Sequence, residues 1–216
     1  MTLDVSTLSL CASIVFMLAL GMNLVRKNTT LIGLYILQSF TVASALFIMG
    51  VNEGAVGLLY AGLLTLIIKV GIAPVFLGKL IRKYSIHFSA SSYLSMPLAL
   101  SALAITTGFS YIISGRFVGT EASAIPLLFA TIFCAFFLMI NRRGTLSIVL
   151  GVLSLENGVV LLSSMLGNAH TFALEFMVAF DIAVWILIAS VFLEMLYRQF
   201  GVVETSRAMS TLTEEE

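Results

Sequence analysis

Residues 145–166 read TLSIVLGVLSLENGVVLLSSML, an apolar run with one charged residue, Glu156, near its middle. A helix needs about 20 such residues to cross the hydrocarbon core of a bilayer. In lipid every backbone polar group must be paired internally, which makes a helix the default for a run of this kind. Six more runs of similar character lie along the chain, over 5–25, 30–50, 54–78, 93–115, 122–140 and 171–196. The reading is an all-α, polytopic transmembrane bundle of about seven spans, numbered here in chain order, with 145–166 the sixth. Sixty per cent of the residues are hydrophobic and ten per cent charged, against roughly a quarter charged in a soluble domain. The alternating polarity of a membrane β-barrel is absent.

The charges outside the runs sort by side. Arg26, Lys27, Lys79, Arg82, Lys83, Arg142, Arg143, Arg198 and Arg207 fall at one set of span ends, whereas Arg116 falls at the other with Asp4, Glu53 and Glu121. Basic loops stay in the cytoplasm, so the sequence predicts the N-terminus outside and the C-terminus inside, in the cell (inner, cytoplasmic) membrane. The basic pair Arg26-Lys27 follows the first apolar run instead of preceding it, which argues for a retained helix over a cleaved signal. Most connections, such as Asn52-Glu53 and Asn141-Arg142-Arg143, are too short for a soluble domain. The longer one, 80–92, reads as a turn in preference to an interfacial segment. A polar tail occupies 198–216. Net charge is zero, which offers no argument for nucleic acid. Cys11 and Cys134 stand alone within apolar runs and read as buried small hydrophobes.

Four charges lie within spans: Lys69, Glu156, Glu175 and Asp181. A charge at mid-bilayer costs about 2.5–3.5 kcal/mol on insertion scales, so such groups are paired, neutralised or part of an ion path. Lys69 is about ten residues, or roughly 15 Å, from the interfacial Lys79. It shares a helix face with Gly62, Thr65 and Ala73. Pro74 has no N–H for the Val70 carbonyl, so a free acceptor and a kink are expected near Lys69. Lys69 could simply pair with an internal carboxylate.

On the sixth span Gly144, Ser147, Gly151, Ser154 and Gly158 form a small-residue seam suited to close helix packing. Glu156 points about 160° away from it. Some other helix, of this chain or of another subunit, must cover it, and a partner helix is expected there. Asp181 lies near the middle of the seventh span, one turn above Trp185. Glu175 is nearer the outer surface and reads equally well as a solvated helix-end group. One lysine among two or three carboxylates is the pattern of a proton or cation relay, since burial disfavours a charged carboxyl and a nearby ammonium favours it. A purely structural network would look the same.

The stretch Ser154-Leu155-Glu156-Asn157-Gly158-Val159-Val160-Leu161-Leu162, with Glu175-Phe176 and Phe180-Asp181-Ile182-Ala183-Val184, resembles the hydrogenase-4 component E family. Leu63-Leu64-Thr65-Leu66-Ile67-Ile68-Lys69, followed by Pro74, is similar to that family's third helix. These are membrane subunits of group 4 [NiFe]-hydrogenase and formate hydrogenlyase-type complexes. Their last helices resemble the K-type subunit of complex I. The resemblance implies a four-helix N-terminal extension over 1–120 and a K-like three-helix module over 121–197. Glu156 would be the first intramembrane glutamate of the K-type subunit, and Asp181 would stand in place of the second.

The expected function is proton or cation translocation coupled to redox chemistry in partner subunits. Those partners would be antiporter-like and other membrane-arm subunits together with peripheral hydrogenase-like subunits. The relay residues would be Glu156, Asp181, Lys69 and Glu175. No catalytic residue and no cofactor or metal is expected in this chain, which has neither a cysteine cluster nor a glycine-rich phosphate loop. The alternative is a subunit of a multisubunit cation/proton antiporter. A retinal photoreceptor fits poorly, since the lone membrane lysine is in the third span. A self-contained transporter fits poorly too, for want of an internal repeat or paired broken helices.

Overall fold

The computed structural model describes residues 5–84, 92–115, 124–142 and 144–166. These form helices α1 (Val5–Leu24), α2 (Asn28–Glu53), α3 (Val56–Thr65), a π-helical segment (Leu66–Ile72), α4 (Ala73–Tyr84), α5 (Met96–Ser114), α6 (Ile125–Asn141) and α7 (Thr145–Leu166). Among the described residues there is no strand, only an isolated antiparallel bridge between Ser92 and Arg142. Five helical rods are long and apolar enough to cross a membrane, with α3, the π segment and most of α4 counting as one, and α6 is a shorter apolar helix. The described part of the chain is therefore all-helical and has the makings of a multi-pass membrane protein. The seventh span, with Glu175, Asp181 and Trp185, and the polar tail lie outside the described residues.

The spans fall close to their expected positions, and the differences have local causes. α2 continues through Asn52 and Glu53, which the sequence reading placed in a loop. It stops at Gly54, whose φ of 64° is left-handed and whose N–H bonds back to the Gly50 carbonyl. Glycine adopts that conformation without a Cβ penalty, which makes it the natural stop. The third span does not end at Gly78 but continues as α4 to Tyr84, so residues 80–84, expected in a turn, are helical. Leu77 and Ile81 keep its inner face buried while Lys79 and Arg82 are exposed.

α7 is the central helix. Over Leu146–Met165 72% of residues are buried, against 17% over Met96–Ser114 of α5. It packs on α6 and α2, which in turn pack on α1 and on the α3–π–α4 rod. The small-residue seam does what small residues allow in lipid, where helices gain by close approach. A Cβ added at Gly151 would stand 3.2 Å from the Ala135 carbonyl oxygen and run into the Met139 side chain, and one at Gly158 would stand 3.2 Å from the Thr131 methyl. The seam therefore belongs to α6.

Buried apolar side chains collect in two main clusters at opposite ends of the bundle. One contains Leu8, Val15, Val42, Leu46, Leu58, Val160 and Leu161. The other contains Met22, Leu31, Tyr35, Leu77, Leu138, Leu150 and Leu153. On α2, on the α3–π–α4 rod and on α7, buried polar residues fall between these sets: Gln38 and Ser39, Thr65 and Lys69, Ser154, Glu156 and Asn157. A polar layer thus separates the two clusters on this side of the bundle, while on α1, α5 and α6 a third apolar cluster, Phe16, Ala19, Leu103, Ala130 and Cys134, fills the height between them.

Candidate functional site

The site is this polar layer. Lys69 Nζ lies 2.6 Å from Glu156 Oε1, with the two side chains 3% and 1% exposed. At that distance the ammonium and the carboxylate form a direct ion pair, strengthened by the low dielectric around it. The π segment packs on α2, and the long lysine side chain reaches from it to α7. Glu156 is thus covered from within the same chain. Its position opposite the glycine seam, read in the sequence as a reason to expect a partner helix there, is accounted for without one.

The backbone around Lys69 explains how the lysine comes to face inward. Buried positions along this rod include Thr65, Lys69, Ala73, Leu77 and Ile81, a run of steps of four. An α-helix advances 3.6 residues per turn, so four-residue steps would drift off the buried face. A π segment adds backbone to a turn and takes up the drift. Its last link is the bond from the Ala73 N–H to the Ile68 carbonyl, five residues back. Pro74 follows at once and supplies no N–H to hold the α-helical register at Val70. Where the sequence suggested a kink near Lys69, the structure has a π segment. Gly62, Thr65 and Ala73 share the buried face with Lys69 as expected. A Cβ at Gly62 would come within 3.3 Å of the Phe47 ring and the Ala43 carbonyl oxygen, which shows how near α2 lies.

The layer continues beside the ion pair. Asn157 Nδ2 donates to Ser39 Oγ at 2.9 Å and reaches Gln38 Oε1 at 3.5 Å. Gln38 Nε2 donates to the Val15 carbonyl at 3.3 Å. These bonds tie α7, α2 and α1 at one height. Two buried acceptors remain without a protein partner, Asn157 Oδ1 and Ser154 Oγ. A buried polar atom left unpaired costs about 1–3 kcal/mol, so polar groups of this kind are where internal water is held. Chemically, the layer can hold a proton at one carboxyl, bias it with one ammonium and present neutral hydrogen-bonding groups on either side.

Of the four sequence-predicted relay residues, the structure brings Lys69 and Glu156 together. Glu175 and Asp181 lie outside the described residues. Gln38, Ser39 and Asn157 were missed, because uncharged polar residues in apolar runs are unremarkable one at a time. The signal was their shared depth: Gln38 is about eleven residues from the basic end of its span and Glu156 about twelve from the same end of its own, each roughly 17 Å.

Arg142 corrects the reading of the loops. It was counted among the interfacial charges, yet it is 6% exposed. Its Nη2 donates to the carbonyls of Met22 (3.0 Å) and Asn23 (2.9 Å) and to that of Val25. It therefore caps the C-terminal turn of α1, whose last carbonyls have no helical donors. Burial, and then the nearby Arg26 charge, lower its pKa from the usual guanidinium value. Cys11 and Cys134 are free and buried among apolar residues, as expected.

No protein-family model, no curated protein sequence and no solved structure matches this chain.

Proposed function

We propose that this protein is a membrane subunit of a hydrogenase-like or complex I-like assembly in the cell membrane, where it carries part of a proton or cation path driven by redox chemistry in partner subunits. The observation that carries the reading is the Lys69–Glu156 pair, buried at mid-height in a polar layer between two apolar clusters. A buried ion pair is poor value as a stabiliser, since apolar residues of the same volume are often equal or better. An ionisable pair deep in a membrane bundle is instead the mark of an ion route. Protonating Glu156 would release the ammonium, and losing that proton would draw it back. The π segment bearing Lys69 is a backbone form common at functional sites. Ser154, Asn157, Gln38 and Ser39 supply hydrogen-bonding stations beside the pair.

The hydrogenase-like assignment rests on the resemblance of 154–162, of 63–69 with Pro74, and of the Glu175 and Asp181 segments to the hydrogenase-4 component E family. In this reading Asp181 and Glu175 extend the route from Glu156 towards the outer surface. The assignment of partners is tested by purifying the intact assembly in mild detergent and identifying its subunits by mass spectrometry. Large and small hydrogenase-like subunits beside antiporter-like ones are expected. Antiporter subunits alone would replace this reading with that of a cation/proton antiporter.

A further inference from the structure

The basic end of the bundle holds a second polar site, apart from the relay layer and independent of the role proposed for it. A cavity of about 360 Å³ opens where the end of α1, the start of α5 and the end of α6 meet. Arg26, Arg142, Asn23, Asn141, Ser95 and Tyr93 are among its lining residues, which include no acidic side chain among the described residues. The connection before α5 is held against α6 by Tyr93 N–H to the Asn141 carbonyl (2.9 Å) and Leu94 N–H to Asn141 Oδ1 (3.0 Å). These bonds fix the first turn of α5 at the cavity wall.

Three observations agree on the charge of what fits there. Arg142 is more than nine-tenths buried, its Nη2 is committed to the α1 carbonyls, and its Nη1 has no partner. Arg26 stands close enough to depress the Arg142 pKa, so two like charges face one space without a counter-ion among the described residues. The 19-residue helix α5 starts at this wall without a side-chain cap from Ser95. Pro97 has no N–H, and the N–H groups of Met96 and Leu98 have no acceptor within the helix. A helix N-terminus with open N–H groups attracts oxyanions, and a guanidinium matches phosphate oxygens in its fork geometry.

We infer that this cavity binds one phosphate group, held by Arg26 and the first turn of α5, with the buried Arg142 guanidinium supplying a second positive charge in its wall. Two sources share that chemistry: the headgroup of an anionic phospholipid and a soluble phosphate. The surroundings suit the lipid. The cavity lies at helix ends, where headgroups lie, and Leu24, Leu98 and Leu100 expose apolar side chains on the same helices. Exposed Tyr93 stands at the height where aromatic residues meet headgroups.

The test uses the full chain, purified in dodecyl maltoside, stripped of lipid and titrated separately with phosphatidylglycerol, diacylglycerol and inorganic phosphate. Binding is read by native mass spectrometry and by the thermal unfolding midpoint. One phosphatidylglycerol per chain with a raised Tm is expected, together with no response to diacylglycerol and a loss of affinity of at least fivefold in Arg26→Gln. Arg142→Gln should lose binding too, but it also uncaps α1, so the exposed Arg26 is the deciding variant. A response to inorganic phosphate alone, with the same dependence on Arg26, supports the site and names the soluble ion as its occupant. If neither phosphate compound binds above the diacylglycerol control, or if Arg26→Gln binds as the wild type does, the inference is overturned.

Discussion

Lys69 and Glu156 stood out in the sequence because charge in an apolar run is expensive, and the structure joins them. Their pairing makes an energetic prediction that separates the pair's two possible uses. Removing one partner from a buried ion pair costs about 3–5 kcal/mol, whereas replacing both by apolar residues is often neutral or stabilising. Lys69→Met and Glu156→Leu should therefore each lower the unfolding midpoint of the detergent-solubilised chain. The double variant should recover most of the loss while remaining inactive in translocation. A double variant whose deficit equals the sum of the two singles would mean that the residues do not interact. Asn157 makes a weaker claim of the same kind. Asn157→Leu removes its bond to Ser39 and should cost about 1 kcal/mol, read from the same unfolding curves. The neighbours of the ion pair were harder to see in the sequence. Gln38 and Ser39 carry no charge, and only the packing of α2 on α7 puts them beside Asn157. Arg142 was hidden for a different reason: at a span end a basic residue looks solvated, and nothing local reveals that its guanidinium turns back onto α1.

Among the helices, those whose periodicity and length were clear came out close to where the sequence placed them, and α7 spans the expected 145–166. Ends were less legible because they depend on bonds made elsewhere. The left-handed Gly54 stops α2, while α4 carries its basic residues on helix beyond the apolar part of its span. The proline pointed to an irregularity near Lys69, read in the sequence as a kink, but the buried run in steps of four, which a π segment accommodates, shows only once the partners of the rod are known. The glycine seam was legible as a close contact, though not which helix filled it. Its identity as the α6 contact predicts that Gly151→Val fails by steric conflict with the Ala135 carbonyl and Met139. Overpacking of this kind costs about 1–3 kcal/mol, so the variant should unfold at a clearly lower temperature. Gly78→Val, where an added Cβ meets nothing within 4 Å, should change it little. Equal effects at both glycines would contradict the close α6–α7 contact.

At the scale of the whole molecule, the described residues place a polar layer between two apolar clusters on α2, the α3–π–α4 rod and α7, and their basic side chains other than Lys69 gather at one end. The sidedness read from the sequence, which would put the C-terminus in the cytoplasm, predicts that a phosphatase fused after residue 216 is inactive in intact cells. An active fusion would reverse the orientation. In the function proposed above the layer ties fold to function, and Glu156 is the group that would exchange the proton. The most direct measurement is proton uptake by vesicles carrying the reconstituted assembly, with redox turnover of the partner subunits recorded in parallel. Glu156→Gln keeps the size of the side chain and removes its exchangeable charge. The account predicts that this variant assembles, sustains redox turnover with an artificial acceptor and loses most of its proton uptake, by about tenfold or more, equivalent to a barrier increase of about 1.4 kcal/mol. Proton uptake at the wild-type rate per redox turnover would show that the Lys69–Glu156 pair is structural and that the ion path runs elsewhere.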